Sequence, residues 1–412
     1  MSTESLSVEA KRRARYPAWL LALCLASFAA GTDNFVIAGV LPKMASDLDV
    51  SEAVAGQLIT AFSLTYALSA PVVAVATARL PRRVVLLTAL TVFALANVGA
   101  AVAPSYWMLL VMRIVTAVAG ASVMPAAFAT AARMAPKDSM GRYLGVITFG
   151  QSIALVVGVP IGTALSGSFG WRSTMVFVAI LAVCVLVFLR LFLPPQPGAP
   201  ALPLRRRLAP LGSRPVLVGL VGTVIGATGN FMTFSYVAPI ADAVSHAGAG
   251  QLSVLVAIMG LASAVGAVVG GRLADSWGPG PTIVAALSLQ VASTLVLGLC
   301  GWRWPGAVSV VVLGLLLAGW GIFGGALTPP LQARLLSLAG DAGNEVVALN
   351  SSCLFLGISL SGALGGAVLA STGPASVPVA AGAISTLAIA VLAWSIYGLS
   401  ARSGGTPEQR EG

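Results

Sequence analysis

Two charged residues stand out because each lies inside a long apolar stretch of the sequence. Asp33 lies in AAGTDNFVIAGVL and Arg113 lies in LLVMRIVTAVAG. A charge in apolar surroundings is costly unless it is paired or hydrogen-bonded, so both residues require a physical explanation. Burial favours the neutral form of a carboxyl group, whereas a nearby guanidinium favours the charged form. The sequence therefore makes Asp33 a candidate proton-binding group, with Arg113 as its candidate partner.

Three roles are open for this pair. Asp33 is first a candidate proton carrier, since protonation would weaken its hold on Arg113 or on a bound molecule. The pair is also explained by a permanent ion pair that fixes helix packing, or by direct contact with a substrate alone.

Softer candidates lie in the same apolar stretches. Amide side chains that would hydrogen-bond a small molecule are Asn34, Gln57, Gln151, Asn230 and Asn350. Aromatic side chains that would form a binding pocket are Phe35, Phe231, Tyr236, Trp320 and Phe323. Each set has an alternative interpretation, because amides also form hydrogen bonds between membrane helices and aromatic rings also pack or face lipid.

The composition defines the elements that must position these residues. The chain has 412 residues, of which 58% are apolar and only 9% are charged, and its mean hydropathy is +0.95. Soluble domains carry about a quarter charged residues, so a soluble protein is excluded. The apolar runs are continuous, whereas strands of a membrane barrel would alternate. We therefore predict an all-α integral membrane protein with twelve transmembrane helices in two six-helix halves.

The apolar runs give the predicted spans. They are 17–41, 54–78, 84–103, 106–132, 143–166, 173–193, 215–239, 252–271, 282–300, 306–330, 346–371 and 376–399. The predicted organisation is an N-terminal tail (1–16), a first six-helix bundle (17–193), a linker (194–214), a second bundle (215–399) and a C-terminal tail (400–412). Asp33 would lie about 12 Å from the end of its span, and Arg113 about 10 Å from the start of its own.

The net charge of +10 follows the predicted topology. With the N-terminus in the cytoplasm, nineteen Lys and Arg residues fall in inside segments and only Lys43, Arg172 and Arg303 fall outside. This bias is the positive-inside pattern, so both termini are predicted to be cytoplasmic and nucleic acid is not an expected partner. The linker contains Arg205, Arg206 and Arg207, which we interpret as part of this pattern rather than as a recognition site for a partner or lipid.

Cysteine and histidine give no sign of a metal or redox site. Cys24, Cys184, Cys300 and Cys353 lie in apolar runs without a close pair, and His246 is the single histidine. We interpret the cysteines as small buried apolar residues. No cofactor or metal is expected.

The two predicted halves share three patterns in the same order. Asn34-Phe35 aligns with Asn230-Phe231, and ARLPRR (78–83) corresponds to GGRLADSWGPG (270–280). Spans five and eleven carry the close-packing pairs Gly158/Gly162 and Gly362/Gly366. Parallel repeats of this kind are typical of secondary transporters.

At these residues the sequence resembles the major facilitator superfamily over essentially the whole chain. Its cytoplasmic-loop motif matches GRLADSWG (271–278), while Ala74, Ala78 and Pro81 depart from that motif in the first half. Arg113 matches the fourth-helix arginine motif. GVPIG (158–162) is similar to the fifth-helix antiporter motif. The TDNFVIAGVLP start, the PRR turn, GVPIG and FGWR together resemble the twelve-helix drug:proton antiporter branch, and within it the chloramphenicol-exporter and sugar-efflux group.

The resemblance implies further roles. Spans one, four, seven and ten would line a central cavity. Gating residues at the cytoplasmic loops would be Arg79, Arg82, Arg83, Gly271, Arg272, Asp275 and Gly278, and helix packing would use Gly158, Pro160, Gly162, Gly362 and Gly366. The expected protein is a monomeric, lipid-embedded exporter in a bacterial-type inner membrane that exchanges protons for small lipophilic drugs.

Other functions compete with this expectation. A sugar or metabolite exporter, or a proton symporter, would use the same fold. A membrane enzyme would gather several histidines or carboxylates at one depth, and such a cluster is lacking in this sequence. A receptor would bind a ligand without moving it.

Overall fold

The computed structural model describes residues 16–136, 140–198, 204–339 and 342–398. Within these ranges the chain is helical and contains no strand. Twelve helices are long and apolar enough to cross a membrane, as predicted. Those of the first half are α1 (Ala18–Asp47), α2 (Glu52–Ala76), α3 (Arg82–Ala101), α4 (Tyr106–Met134), α5 (Arg142–Phe169) and α6 (Trp171–Phe192).

The second half repeats this arrangement. Its spanning helices are α7 (Arg214–Ser235), α8 (Ala249–Trp277), α9 (Pro279–Arg303), α10 (Val310–Ala339), α11 (Glu345–Thr372) and α12 (Ser376–Tyr397). Two short helices, Leu204–Leu208 in the linker and Val237–Ser245 after α7, were not predicted.

Several helices pass the prolines at which the predicted spans ended. Helix α1 continues through Pro42 to Asp47, and α10 continues through Pro329 and Pro330 to Ala339. Proline is tolerated in membrane helices because neighbouring helices and local adjustments satisfy the backbone groups that it frees. The ends predicted at 41 and 330 were therefore too early.

The contacts between helices follow the repeat. In the first half α1 packs on α5 and α6, and α3 packs on α4 and α6; in the second, α7 packs on α11 and α12, and α9 packs on α10 and α12. The halves meet through α2 against α11 and through α5 against α8. In the repeat, α2 corresponds to α8 and α5 corresponds to α11. The interface between α2 and α11 therefore corresponds to the interface between α8 and α5, as expected for a parallel repeat.

The apolar core is joined at one end of the bundle and divided at the other. One cluster draws on both halves, including Leu41, Leu58, Val237 and Leu255. Toward the end that carries the linker, separate clusters belong to the first and the second half. We call the end with the shared cluster the far end, and the end that carries the linker the linker end. The halves are thus packed together at the far end and have independent cores at the linker end.

Large apolar side chains also cover the outside of the bundle. Among the exposed ones are Leu68, Leu95, Leu191 and Leu315, each more than 60% exposed. An apolar surface of this extent matches a lipid surrounding rather than water.

Candidate functional site

Helix α1 places Asp33 near its midpoint. Asp33 is followed by fourteen residues of helix before α1 ends at Asp47, roughly 21 Å at 1.5 Å per residue. The predicted distance of about 12 Å was too short because the helix continues past Pro42. A carboxyl group at this depth is far from either end of its helix.

Asp33 and Arg113 form a buried ion pair. The Nη1 atom of Arg113 donates to both carboxylate oxygens of Asp33 at 2.9 Å, and Nη2 lies 3.3 Å from the Asp33 carbonyl oxygen. The side chains are 0% and 1% exposed. Two opposite charges that are buried away from water attract each other strongly. Removal of one partner therefore leaves the other charge buried and unpaired, which is costly.

Two neighbours of this pair were missed by the sequence analysis. Asn97 of α3 is fully buried near the Asp33 carboxyl group, and its side-chain amide donates to the Phe93 carbonyl of its own helix at 3.0 Å. The ring of Phe62 on α2 lies under the Arg113 guanidinium, 4.2 Å from its centroid, as in a cation–π contact. The isolated Asn97 in the apolar run TALTVFALANVGA was a usable signal, whereas Phe62 had none.

The second half has uncharged polar pairs in place of this ion pair. Gln290 of α9 donates its side-chain amide to the Asn230 side chain of α7. Thr223 of α7 donates to the Asn350 side chain of α11 at 2.8 Å. For Asn230 and Asn350 the structure thus shows the alternative interpretation, a hydrogen bond between helices. The first half alone carries the buried charge pair among the described residues.

Asn34 and Gln151 border a small internal cavity. The cavity is lined by Ala30, Asn34, Phe62, Tyr66, Phe93, Gly120, Met124, Gln151 and Phe355. Asn34 Oδ1 is buried and has no hydrogen-bond partner among the described residues. Gln57 lies elsewhere and donates to the Ala53 carbonyl of its own helix at 3.3 Å.

Four aromatic side chains form a continuous cluster between the halves. Phe35 of α1 stacks on Phe231 of α7, with ring centroids 5.9 Å apart, and both contact Phe234. Phe234, which was not predicted, stacks in turn on Trp320 of α10 at 6.4 Å. The indole N–H of Trp320 is buried and unpartnered within the described chain. Phe323 lies outside this cluster.

Tyr236 lies apart from the aromatic cluster, in a slot between α2 and α11. It is fully buried and its hydroxyl donates to the Gly362 carbonyl at 2.6 Å. A Cβ atom placed at Gly56, Gly365 or Gly366 would overlap the Tyr236 side chain. The glycines therefore make room for the ring, and Tyr236 joins three elements rather than facing the cavity.

The predicted packing glycines lie at close helix contacts. In α5, Gly158 meets Thr32 and Gly162 meets Val36, so this helix approaches α1 closely. A π-helical turn at Ala154–Gly158 precedes Pro160 in α5. In α11, Gly362 meets Thr60 and Gly366 meets Gln57, both on α2.

The predicted gating residues lie at the linker end. Gly278 has φ of 87°, which favours glycine, and it lies between α8 and α9. Arg272 and Asp275 are exposed, and neither takes part in the two ion pairs found in the described ranges. Arg79 lies in the connection between α2 and α3, and Arg82 and Arg83 are the first two residues of α3. Gly271 lies near Pro329. Their gating role stays a prediction.

The architecture is that of a membrane transporter built from two six-helix repeats, the first of which contains a buried acid–base pair. Comparison with known proteins agrees: a family model for the Major Facilitator Superfamily matches residues 23–345 and, in an overlapping match, 246–412. The chain belongs to the Major Facilitator Superfamily.

Individual relatives extend over most of the chain. It is 32% identical over 376 residues to the inner membrane transport protein YdhP of Escherichia coli, covering 91% of this chain and 94% of that protein. It is 35% identical over 264 residues to a chloramphenicol resistance protein of Streptomyces lividans, covering 63% and 67%.

Solved structures agree on the fold. A bacterial homologue of the human lysosomal transporter Spinster, in an inward-facing and unoccupied conformation, matches with a TM-score of 0.70 at 17% identity over 92% of this chain and 96% of that one.

Proposed function

We propose that this transporter is a proton-coupled exporter of small lipophilic compounds. The observation that carries the proposal is the fully buried Asp33–Arg113 pair at the middle of α1. Its carboxyl group is the one described acidic group at the middle of a spanning helix, and Arg113 offers it a counter-charge. The relative named as a chloramphenicol resistance protein supports an uncharged drug-like substrate.

The proposed cycle uses the two states of Asp33. When ionised, its carboxylate holds Arg113 through two short contacts. A proton entering from the far side neutralises the carboxylate and weakens the contact, which frees the guanidinium for rearrangement or substrate. Release of the proton at the linker side restores the pair, and rocking of the two halves exposes the cavity alternately to each side.

The aromatic and polar groups between the halves favour substrates without a net charge. The aromatic cluster of Phe35, Phe231, Phe234 and Trp320 offers ring faces, and Asn34 Oδ1 and the Trp320 indole N–H offer one acceptor and one donor. A multivalent ion would meet a single acid and a single base. The linker end is proposed to face the cytoplasm of the inner membrane.

Everted vesicles provide the test. Asp33→Asn removes the titratable group with little change of shape, and Asp47→Asn makes the same change at an exposed residue of the same helix. We expect chloramphenicol uptake driven by a proton gradient to be lost in Asp33→Asn and kept in Asp47→Asn. We also expect chloramphenicol added to wild-type vesicles to release protons from the lumen.

Downhill transport separates a proton carrier from a structural pair. A proton carrier predicts that Asp33→Asn still equilibrates chloramphenicol down its gradient. Loss of downhill transport together with loss of the folded protein would show a structural pair. Full gradient-driven transport in a folded Asp33→Asn protein would contradict the proposal.

A sugar or metabolite exporter is the second candidate. This alternative would use the same Asp33 carboxyl group. It predicts that wild-type vesicles release protons when a sugar is added and release none when chloramphenicol is added.

A further inference from the structure

The linker end of the first half is strongly basic. Its described residues include six arginines and neither Asp nor Glu: Arg79, Arg82, Arg83, Arg133, Arg142 and Arg190. The corresponding end of the second half carries Asp275 and Glu345 beside three arginines, Arg214, Arg272 and Arg334. The two repeats therefore differ sharply in charge at the same end of the bundle.

Two of these arginines and one from the linker lie on separate segments. Arg82 is the first residue of α3, Arg133 lies one residue before the end of α4, and Arg207 lies in the linker helix Leu204–Leu208. The linker contacts the start of α3 at Arg82 and the end of α4 at Arg133, and the linker helix that carries Arg207 lies against α2. Like charges close together are unfavourable without a counter-charge.

The linker is attached where these groups meet. The Arg82 backbone N–H donates to the Gln196 carbonyl at 3.0 Å, and Arg133 Nη1 donates to the Pro197 carbonyl at 3.2 Å. The linker helix also lies against α2 and α11, which belong to different halves. These contacts hold the linker against the start of α3 and the end of α4, beside the helix that carries Arg207.

Some guanidinium donors at this end lack a partner. The Nε atoms of Arg83 and Arg207 are buried and make no hydrogen bond within the described residues. A guanidinium presents its N–H groups in a planar fork that matches the oxygens of a phosphate. The unpartnered Nε of Arg207, beside arginines that form no ion pair with a described carboxylate, indicates a site for an anion with several oxygens.

One acidic position of the second half has no acidic counterpart in the first half. Asp275 in the second half corresponds to Ala78 in the first, and Ala78 is buried next to Arg79. We propose that the phosphate group of an anionic phospholipid binds between Arg82, Arg133 and Arg207 and supplies the negative charge that Ala78 does not. The inference depends on neither the substrate nor the direction of transport.

The position favours a lipid over a soluble phosphate. Arg82 and Arg133 lie at the ends of two spanning helices, where headgroups of the surrounding bilayer lie. Basic residues beside membrane helices attract anionic lipids, and each arginine raises the affinity for the lipid roughly fivefold.

Lipid-dependent stability tests the site. The full chain is purified in a neutral detergent, and its thermal unfolding is followed with added phosphatidylglycerol or phosphatidylcholine. We expect phosphatidylglycerol to stabilise the wild-type protein more than phosphatidylcholine does, and Arg82→Gln/Arg207→Gln to lose most of that difference. The matched control Arg214→Gln/Arg272→Gln removes two arginines at the same end of the second half and should keep it.

Further measurements make the outcome unambiguous. Arg207→Gln alone lies outside the spanning helices, so it tests the site even if the double variant does not fold; native mass spectrometry should show about fivefold weaker retention of phosphatidylglycerol. Equal stabilisation of the wild type and both double variants would overturn the proposal, because it would show general charge attraction. Stabilisation by inorganic phosphate, at matched ionic strength and to the same extent, would overturn the lipid as the source.

Discussion

Tyr66 of α2 stacks on Phe355 of α11, with ring centroids 3.8 Å apart and ring planes 20° apart. This contact joins the two halves of the transporter. Tyr66 also lies beside Phe62, with centroids 6.3 Å apart, and the Phe62 ring carries the Arg113 guanidinium. Three rings thus connect the buried ion pair with the opposite half.

We expect a favourable coupling between Tyr66 and Phe355. Tyr66→Leu and Phe355→Leu, alone and together, should give a coupling of about 0.5–1.5 kcal/mol, since stacked aromatic pairs contribute this much beyond their burial. Thermal and denaturant unfolding in detergent would measure it. Phe188→Leu changes an exposed ring of α6 and should have little effect. Additive effects of the two substitutions would contradict the proposed contact between halves.

The buried ion pair should matter far more than the exposed one. Arg113→Gln is expected to destabilise the protein by about 3–5 kcal/mol, because it leaves the Asp33 carboxylate buried without a counter-charge. Breaking the exposed pair between Asp47 and Arg172 with Arg172→Gln should cost less than about 1 kcal/mol.

The double variant provides an internal check on this prediction. Asp33→Asn/Arg113→Gln contains neither charge, so it should be more stable than Arg113→Gln alone. If the two changes instead add, Asp33 and Arg113 are not paired in the folded protein.

The slot around Tyr236 should not accept a larger residue. Gly56→Ala places a methyl group against the Tyr236 hydroxyl, so we expect a loss of stability. Removing that hydroxyl with Tyr236→Phe relieves the closest overlap, and the double variant should be more stable than Gly56→Ala. Gly145 has open space at its Cβ position, so Gly145→Ala serves as the control and should be neutral or stabilising. Unfolding temperatures in detergent would compare the four proteins.

Asn230 and Gln290 should behave as one unit. Gln290→Leu leaves the half-buried Asn230 amide without its partner, which costs about 1 kcal/mol. The double variant Asn230→Leu/Gln290→Leu replaces both partners by apolar groups and should recover most of that loss. A double variant as unstable as the sum of the single ones would mean that the hydrogen bond between α7 and α9 is not what these residues contribute.

The sequence by itself was enough to predict the spanning helices and the central pair. Apolarity over about 20 residues is a local property, so each span can be recognised without knowledge of its neighbours. Asp33 and Arg113 could be paired because they are the charged residues deep inside predicted spans, and an isolated buried charge is too costly to remain alone. The repeat was visible in short motifs such as Asn34-Phe35 and Asn230-Phe231.

Only the tertiary structure decided which side chains meet. Helices such as α1 and α10 are apolar on nearly every side, so no stripe in their sequences tells which face turns toward a neighbour. The way in which each helix is rotated about its own axis places Phe62 under Arg113 and Asn97 beside Asp33. It also places Tyr236 in a slot lined by glycines of two other helices. Contacts of this kind depend on close packing between distant segments, and residue type alone does not specify them.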